Sequence, residues 1–183
     1  MGQSEKIFID LLRSLTRVEP RTFPWLINKF GADDIPIKNV FSALNGDLQG
    51  LAGKKEMKLR PDAFLPDLNC LIEFDEVQHF TSQREIALSL YPDGLSFGYE
   101  RDSYISLCKR YGTIAAKKGA AGYRRPTAEF PFVGGRHFQR AFFDTLRDIL
   151  PLRNGLSPTI RIPEFEMLNK GALMEKISRL VRT

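Results

Sequence analysis

The stretch that most constrains this chain is Cys70-Leu71-Ile72-Glu73-Phe74-Asp75, an apolar run with two carboxylates set at alternate positions. The turn formers Pro66-Asp67 and Asn69 bound it upstream, so it predicts a strand entering a core. Side chains alternate across a pleated strand, which puts Ile72 and Phe74 on one face and Glu73 and Asp75 on the other. An ionised pair of this kind repels itself and resists burial. It persists most cheaply around a divalent cation, a proton or a basic partner. Asp62 lies 11 residues before Glu73, enough for a turn and an antiparallel return from a Met57–Leu65 segment. The three carboxylates Asp62, Glu73 and Asp75 are therefore expected to meet.

The flanking chain reads as helices around this hairpin. Ser4 is the expected N-cap of a helix to about Leu15, with Ile7, Phe8, Leu11, Leu12 and Leu15 as its apolar stripe. Glu5 lies on the inward side of that helix, either as a first-turn glutamate favoured by the dipole or as a group directed at the carboxylates. Pro20, Pro24 and Pro36 break residues 17–56 into short pieces. Glu100 to Gly112 predicts a helix stopped by its glycine, followed by a strand over Thr113–Ala116 that joins the sheet in parallel. Arg136 to Leu150 predicts an amphipathic helix ended by Pro151, with Phe138, Phe142, Leu146, Ile149 and Leu150 inward. Thr159–Ile162 reads as an edge strand, and Pro163 as the start of a last helical stretch carrying Met167, Leu168, Met174, Ile177, Leu180 and Val181. With no repeat or boundary, the 183 residues read as one α/β domain: a mixed central sheet flanked by helices, with a core over about 4–118 and a helical extension over about 136–183.

Charge and motifs narrow the chemistry. A formal net charge of +5 suits an anionic partner. Two cysteines, Cys70 and Cys108, both in apparent core elements, fit a reducing compartment, and no leader or spanning run is evident, so a cytoplasmic location and no membrane partner are expected. No Gly-x-Gly-x-x-Gly, Gly-Lys-Ser/Thr or Gly-x-Ser-x-Gly is present, which argues against nucleoside triphosphate use and serine-nucleophile hydrolysis. Lys55, Lys58 and Arg60 approach Asp62 from upstream, and Lys117, Lys118, Arg124 and Arg125 stud a glycine-containing loop. Each set reads either as solvated surface or as contacts to a phosphate backbone.

The order Pro61-Asp62, a short hairpin, then Ile72-Glu73-Phe74-Asp75-Glu76-x-Gln78-His79 resembles the active-site hairpin of the PD-(D/E)XK nuclease superfamily, and within it the small very-short-patch-repair-like endonuclease domains. The resemblance spans roughly residues 4–118. It implies a restriction-endonuclease-like three-layer fold and Mg²⁺-dependent hydrolysis of DNA phosphodiester bonds, with Mn²⁺ able to substitute; homodimerisation stays open. Two registers fit. One takes Asp62, Glu73 and Asp75 as metal ligands with Gln78 and His79 just beyond; the other takes Asp62, Glu76 and Gln78, with glutamine in the family's lysine position. The first is favoured because it sets the acids opposite Ile72 and Phe74. His79 reads as a boundary residue or as an acid/base or water-positioning group, and Glu5 resembles the family's first-helix glutamate. Neither register supplies the lysine, so the alternative is a nuclease-fold domain that binds nucleic acid or a protein without cutting.

Overall fold

The computed structural model describes residues 2–118 and 124–182. Three strands form the sheet, in the order β1 (Ala63–Leu65), β2 (Cys70–Asp75) and β3 (Ile160–Pro163). β1 and β2 are antiparallel and β2 and β3 parallel, giving a small mixed sheet. The β1–β2 connection is a short 3-10 turn over Pro66–Leu68 closed by Asn69, whose φ of 51° is left-handed and whose amide donates to Gly155 O at 2.9 Å. Asparagine tolerates that conformation better than most residues.

Seven α-helices accompany the sheet among the described residues: α1 (Gln3–Arg13), α2 (Ile35–Ala43), α3 (Leu48–Gly53), α4 (Ser82–Ser89), α5 (Arg101–Lys118), α6 (Gly135–Arg153) and α7 (Lys170–Arg182). Strand alternation sorts the core onto two faces. Ala63, Leu65, Cys70, Ile72, Phe74, Ile160 and Ile162 pack against Phe8 and Leu12 of α1 and Leu173 and Ile177 of α7. Phe64 and Leu71 face the other way, toward the helices α2, α4, α5 and α6. The same parity sends Glu73, Asp75 and Arg161 to the α6 side, and so decides where the polar chemistry lies.

Several sequence expectations are corrected. The expected strand over Thr113–Ala116 is the last part of α5, which continues through Gly112; Ala115 is fully buried, and a Cβ at Gly112 would lie 3.8 Å from Ser82 N. Gly112 is a helix interior residue and not a cap, and the 3.8 Å distance leaves room for a Cβ there. The parallel strand comes instead from β3, the segment read as an edge strand within the helical extension, and it does lie at the sheet edge. β1 is shorter than the Met57–Leu65 segment: residues 57–59 form a strap bonded to residues 26–28, with Asn28 N donating to Met57 O and Leu59 N to Leu26 O. Pro151 sits inside α6, whose helix ends at Arg153. Gly2, not Ser4, caps α1, with Glu5 Oε2 accepting from Gly2 N at 3.1 Å. Ile7 is exposed and Ile9 takes its place in the core, and Leu168 is exposed; Pro163 ends β3 and, as expected, opens the last helical stretch, as the N-cap of a 3-10 helix over Glu164–Asn169 that runs into α7.

Candidate functional site

The antiparallel register pairs Ala63 with Ile72, so Asp62 lies one residue before the start of β1, beside Glu73. Its carboxylate closes the hairpin by accepting from Phe74 N at 2.7 Å. Asp62 and Glu73 form the floor of a cleft of about 430 Å³, with Glu5, Glu76, Gln78 and His79 around them. One wall is the 57–60 strap with Lys58 and Arg60; the other is the face of α6 bearing Arg136, Gln139, Arg140, Phe143 and Arg147. An acidic floor thus meets two basic walls.

The electrostatics of the floor are costly. Burial pushes Asp62 up to about 6, with the charge of Glu5 adding to the rise and the Phe74 amide opposing it. Burial also raises Glu73 well above the usual carboxylate range, against the pull of Arg147. Arg147 Nε lies 3.4 Å from Glu73 Oε2, and Arg147 Nη2 donates to Arg60 O at 3.3 Å. Glu73 Oε1 is buried and has no hydrogen-bond partner among the described residues. Such an atom is expensive unless a cation or donor satisfies it.

Asp75 lies elsewhere. Both of its oxygens accept from Arg161 Nη1, at 2.8 and 3.0 Å, and it does not line the cleft. Arg161, fully buried on β3 opposite Glu73, also donates through Nε to Asp148 at 2.7 Å. Asp148 further accepts from Arg84 Nη2 at 2.6 Å and from the hydroxyls of Tyr91 and Tyr99 at 2.8 and 2.9 Å. Burial opposes the charge of Asp148, but the two arginines outweigh it and hold its carboxyl below the ordinary value. Asp75 is therefore part of a paired interior network that bridges β2, β3, α4 and α6.

His79 joins the two regions. Its Nδ1 donates to Asp144 Oδ2 at 2.9 Å and lies 3.4 Å from Asp75 Oδ1, which leaves Nε2 as the ring nitrogen for the cleft side. Burial opposes the charge of Asp144, but His79 and Arg161 hold it well below the ordinary carboxylate range. Among the described residues, the acid and histidine donor atoms that gather in threes within 4.8 Å are those of Asp75, His79 and Asp144, not those of Asp62, Glu73 and Asp75. Arg161 already supplies positive charge to that trio. On the cleft floor, Arg147 is the cation beside Glu73, and Glu73 Oε1 is left without a hydrogen-bond partner among the described residues.

Glu76 is held from both sides: Gln78 Nε2 donates to Glu76 Oε2, and a Cβ at Gly2 would come within 2.8 Å of Glu76 Oε1. The start of α1 thus brings Glu5 and Glu76 to the same edge of the cleft.

Of the expected backbone contacts, Lys58 and Arg60 line the cleft, and Lys55 is exposed just upstream. Arg124 and Arg125 dock on the start of α6, their carbonyls accepting from Gly134 N at 2.9 Å and Arg136 N at 3.2 Å. Lys117 and Lys118 end α5, with Lys118 Nζ 3.6 Å from Glu164. Residues 119–123 of the expected basic loop lie outside the described residues.

Sequence reasoning missed Arg147, Asp144, Asp148 and Arg161. Arg161 carried a signal, a charge between Ile160 and Ile162 with the same alternation as Glu73 and Asp75. Asp144 and Asp148, one helical turn apart on α6, carried another, hidden by reading the helix as apolar on one side and wet on the other. No helix among the described residues is long and apolar enough to cross a membrane. No protein-family model, curated protein or solved structure matches the chain.

Proposed function

We propose that this protein is a Mg²⁺-dependent endonuclease that hydrolyses DNA phosphodiester bonds on a restriction-endonuclease-like fold. The observation that carries the reading is Glu73 Oε1, a buried carboxylate oxygen without a partner, next to an Asp62 pushed up to about 6, on the floor of a cleft walled by arginines and lysine. Asp62 and Glu73 would hold the ion from the floor and Glu76 from the edge of the cleft, although their oxygens, unlike the donor atoms of Asp75, His79 and Asp144, do not gather within 4.8 Å of one another. Mg²⁺ or Mn²⁺ would supply Lewis-acid polarisation of the phosphate and a more acidic water.

The chain's own groups divide the remaining work. Gln78 orients the Glu76 carboxylate through its amide. Arg147 brings fixed positive charge to Glu73, where the family's lysine is missing, and so lies where charge builds on a pentacoordinate phosphate. His79, its Nδ1 anchored on Asp144, can pass a proton to the departing oxygen through Nε2. The Arg147–Glu73 ion pair also favours a second reading, a nuclease-fold domain that binds without cutting, in which the arginine simply neutralises the acid.

The test is calorimetric titration of Mg²⁺ and Mn²⁺ into wild type, Asp62→Asn, Glu73→Gln and Asp144→Asn, alongside plasmid cleavage. Metal binding and cutting that vanish in the first two variants, with metal binding kept in Asp144→Asn, support the reading. A wild type that neither binds metal nor cuts sinks it and leaves the binding domain.

A further inference from the structure

The α6 wall of the cleft has a composition of its own. Arg136, Arg140, Phe143 and Arg147 follow one another at helical spacing on the face that lines the cleft. Across from them the strap presents Met57, half of its surface exposed, next to Lys58 and Arg60. Arg124 and Arg125 extend the cations beyond the start of α6.

Cations alone would serve any phosphate backbone, whereas apolar surface between them needs another explanation. The Phe143 ring is held by Lys54, whose Nζ is 5.4 Å from its centroid, and by Phe142 at 5.9 Å, while the ring still lines the cleft. In a duplex the base faces are stacked on one another and only phosphate, sugar and groove edges reach a protein wall. An unpaired strand offers a base face to an aromatic ring and its phosphates to the flanking cations. The cleft volume of about 430 Å³ is of the size that holds one nucleotide.

Building on the endonuclease reading, we infer that the substrate is DNA in an unpaired strand, one nucleotide entering the cleft with its base against Phe143 and its neighbouring phosphates on Arg136 and Arg140. Arg147 then sits at the scissile phosphate, at the acidic end of the stripe.

The experiment is fluorescence anisotropy of a labelled mixed-sequence oligodeoxynucleotide, single-stranded and as duplex, in EDTA across a salt series. Wild type should bind the single strand at least about tenfold more tightly than the duplex. Phe143→Leu, which keeps an apolar side chain, should weaken single-strand binding about tenfold at an unchanged salt slope. Arg136→Gln, at an exposed position, should lower the slope of log K against log salt by roughly 0.7. Circular dichroism checks that each variant is folded. Equal or tighter duplex binding, or a Phe143→Leu protein that binds the single strand like wild type, overturns the inference. Adding Mg²⁺ to the same wild-type samples separates the two proposals. Phe143-dependent single-strand binding without cutting sinks the nuclease reading alone; cutting without single-strand preference sinks the single-strand inference alone.

Discussion

Arg147 Nε lies 3.4 Å from Glu73 Oε2, so a helix far along the chain places a guanidinium against the middle strand of the sheet. Neither Glu73 Oε1 nor Arg147 Nε has a hydrogen-bond partner among the described residues, although both are buried. The pair attracts without a closed hydrogen bond. Buried polar atoms of this kind are costly until a partner satisfies them.

If Arg147 stabilises charge at the reacting phosphate, Arg147→Ala should lower the single-turnover cleavage rate on saturating DNA by about 10²–10³-fold. Arg147→Lys should recover part of that loss, since it restores charge without the planar fork. An unchanged rate in Arg147→Ala would assign the residue to neutralising Glu73 only.

Asp62→Asn should stabilise the metal-free protein while removing activity. The folded carboxyl sits at about 6 against an ordinary value of 3.8, so the native state holds its proton more tightly than the unfolded chain. Ionising it costs stability as pH rises from about 4 to about 6, up to roughly 3 kcal/mol by the size of the shift. The gain in Asp62→Asn over wild type, measured by urea denaturation, should therefore be near zero at pH 4 and reach its plateau above pH 6. A pH-independent difference would show that Asp62 is not raised in the native state.

The interior network behaves in the opposite sense. Asp144 and Asp148 are held below 3.8 by buried cations, so the stability they contribute is present above the ordinary carboxylate pKa and is lost as pH falls below it. Arg161→Met leaves Asp75, Asp144 and Asp148 without their shared partner and should destabilise by about 3–5 kcal/mol in urea melts at neutral pH. A loss below 1 kcal/mol would mean that the three acids find other partners.

The same network distinguishes the two motif registers. Asp75→Asn should lower stability with little effect on Mg²⁺ affinity, because Asp75 is engaged by Arg161. Glu76→Gln should weaken Mg²⁺ binding with little effect on stability, because Glu76 faces the cleft. Paired calorimetry and denaturation read both; the reverse pattern would return the ion to the register of Asp62, Glu73 and Asp75.

Burial raises the Cys70 thiol to about 11 and the Cys108 thiol to about 12, so neither holds appreciable thiolate at neutral pH. Both should react with a disulfide reagent only at the rate of unfolding. A burst of labelling in native buffer would contradict their packing.

The sequence by itself determined the β1–β2 hairpin, the two faces of Cys70–Asp75 and the meeting of Asp62 with Glu73, because strand alternation and a short turn are local rules. It also pointed to β3, through the apolar Ile160 and Ile162. Tertiary structure decided what each acid does. Glu73 and Asp75 share a strand face, yet Arg161 captures Asp75 while Glu73 is left to the cleft, and that division depends on a partner strand no local pattern assigns to β2. Gly112, a stop by propensity, became a helix interior because α4 packs against α5 there. The cations of α6 carried no role in the sequence and gain one only where the helix lies against the sheet, since helical periodicity tells which residues share a face and not what that face meets.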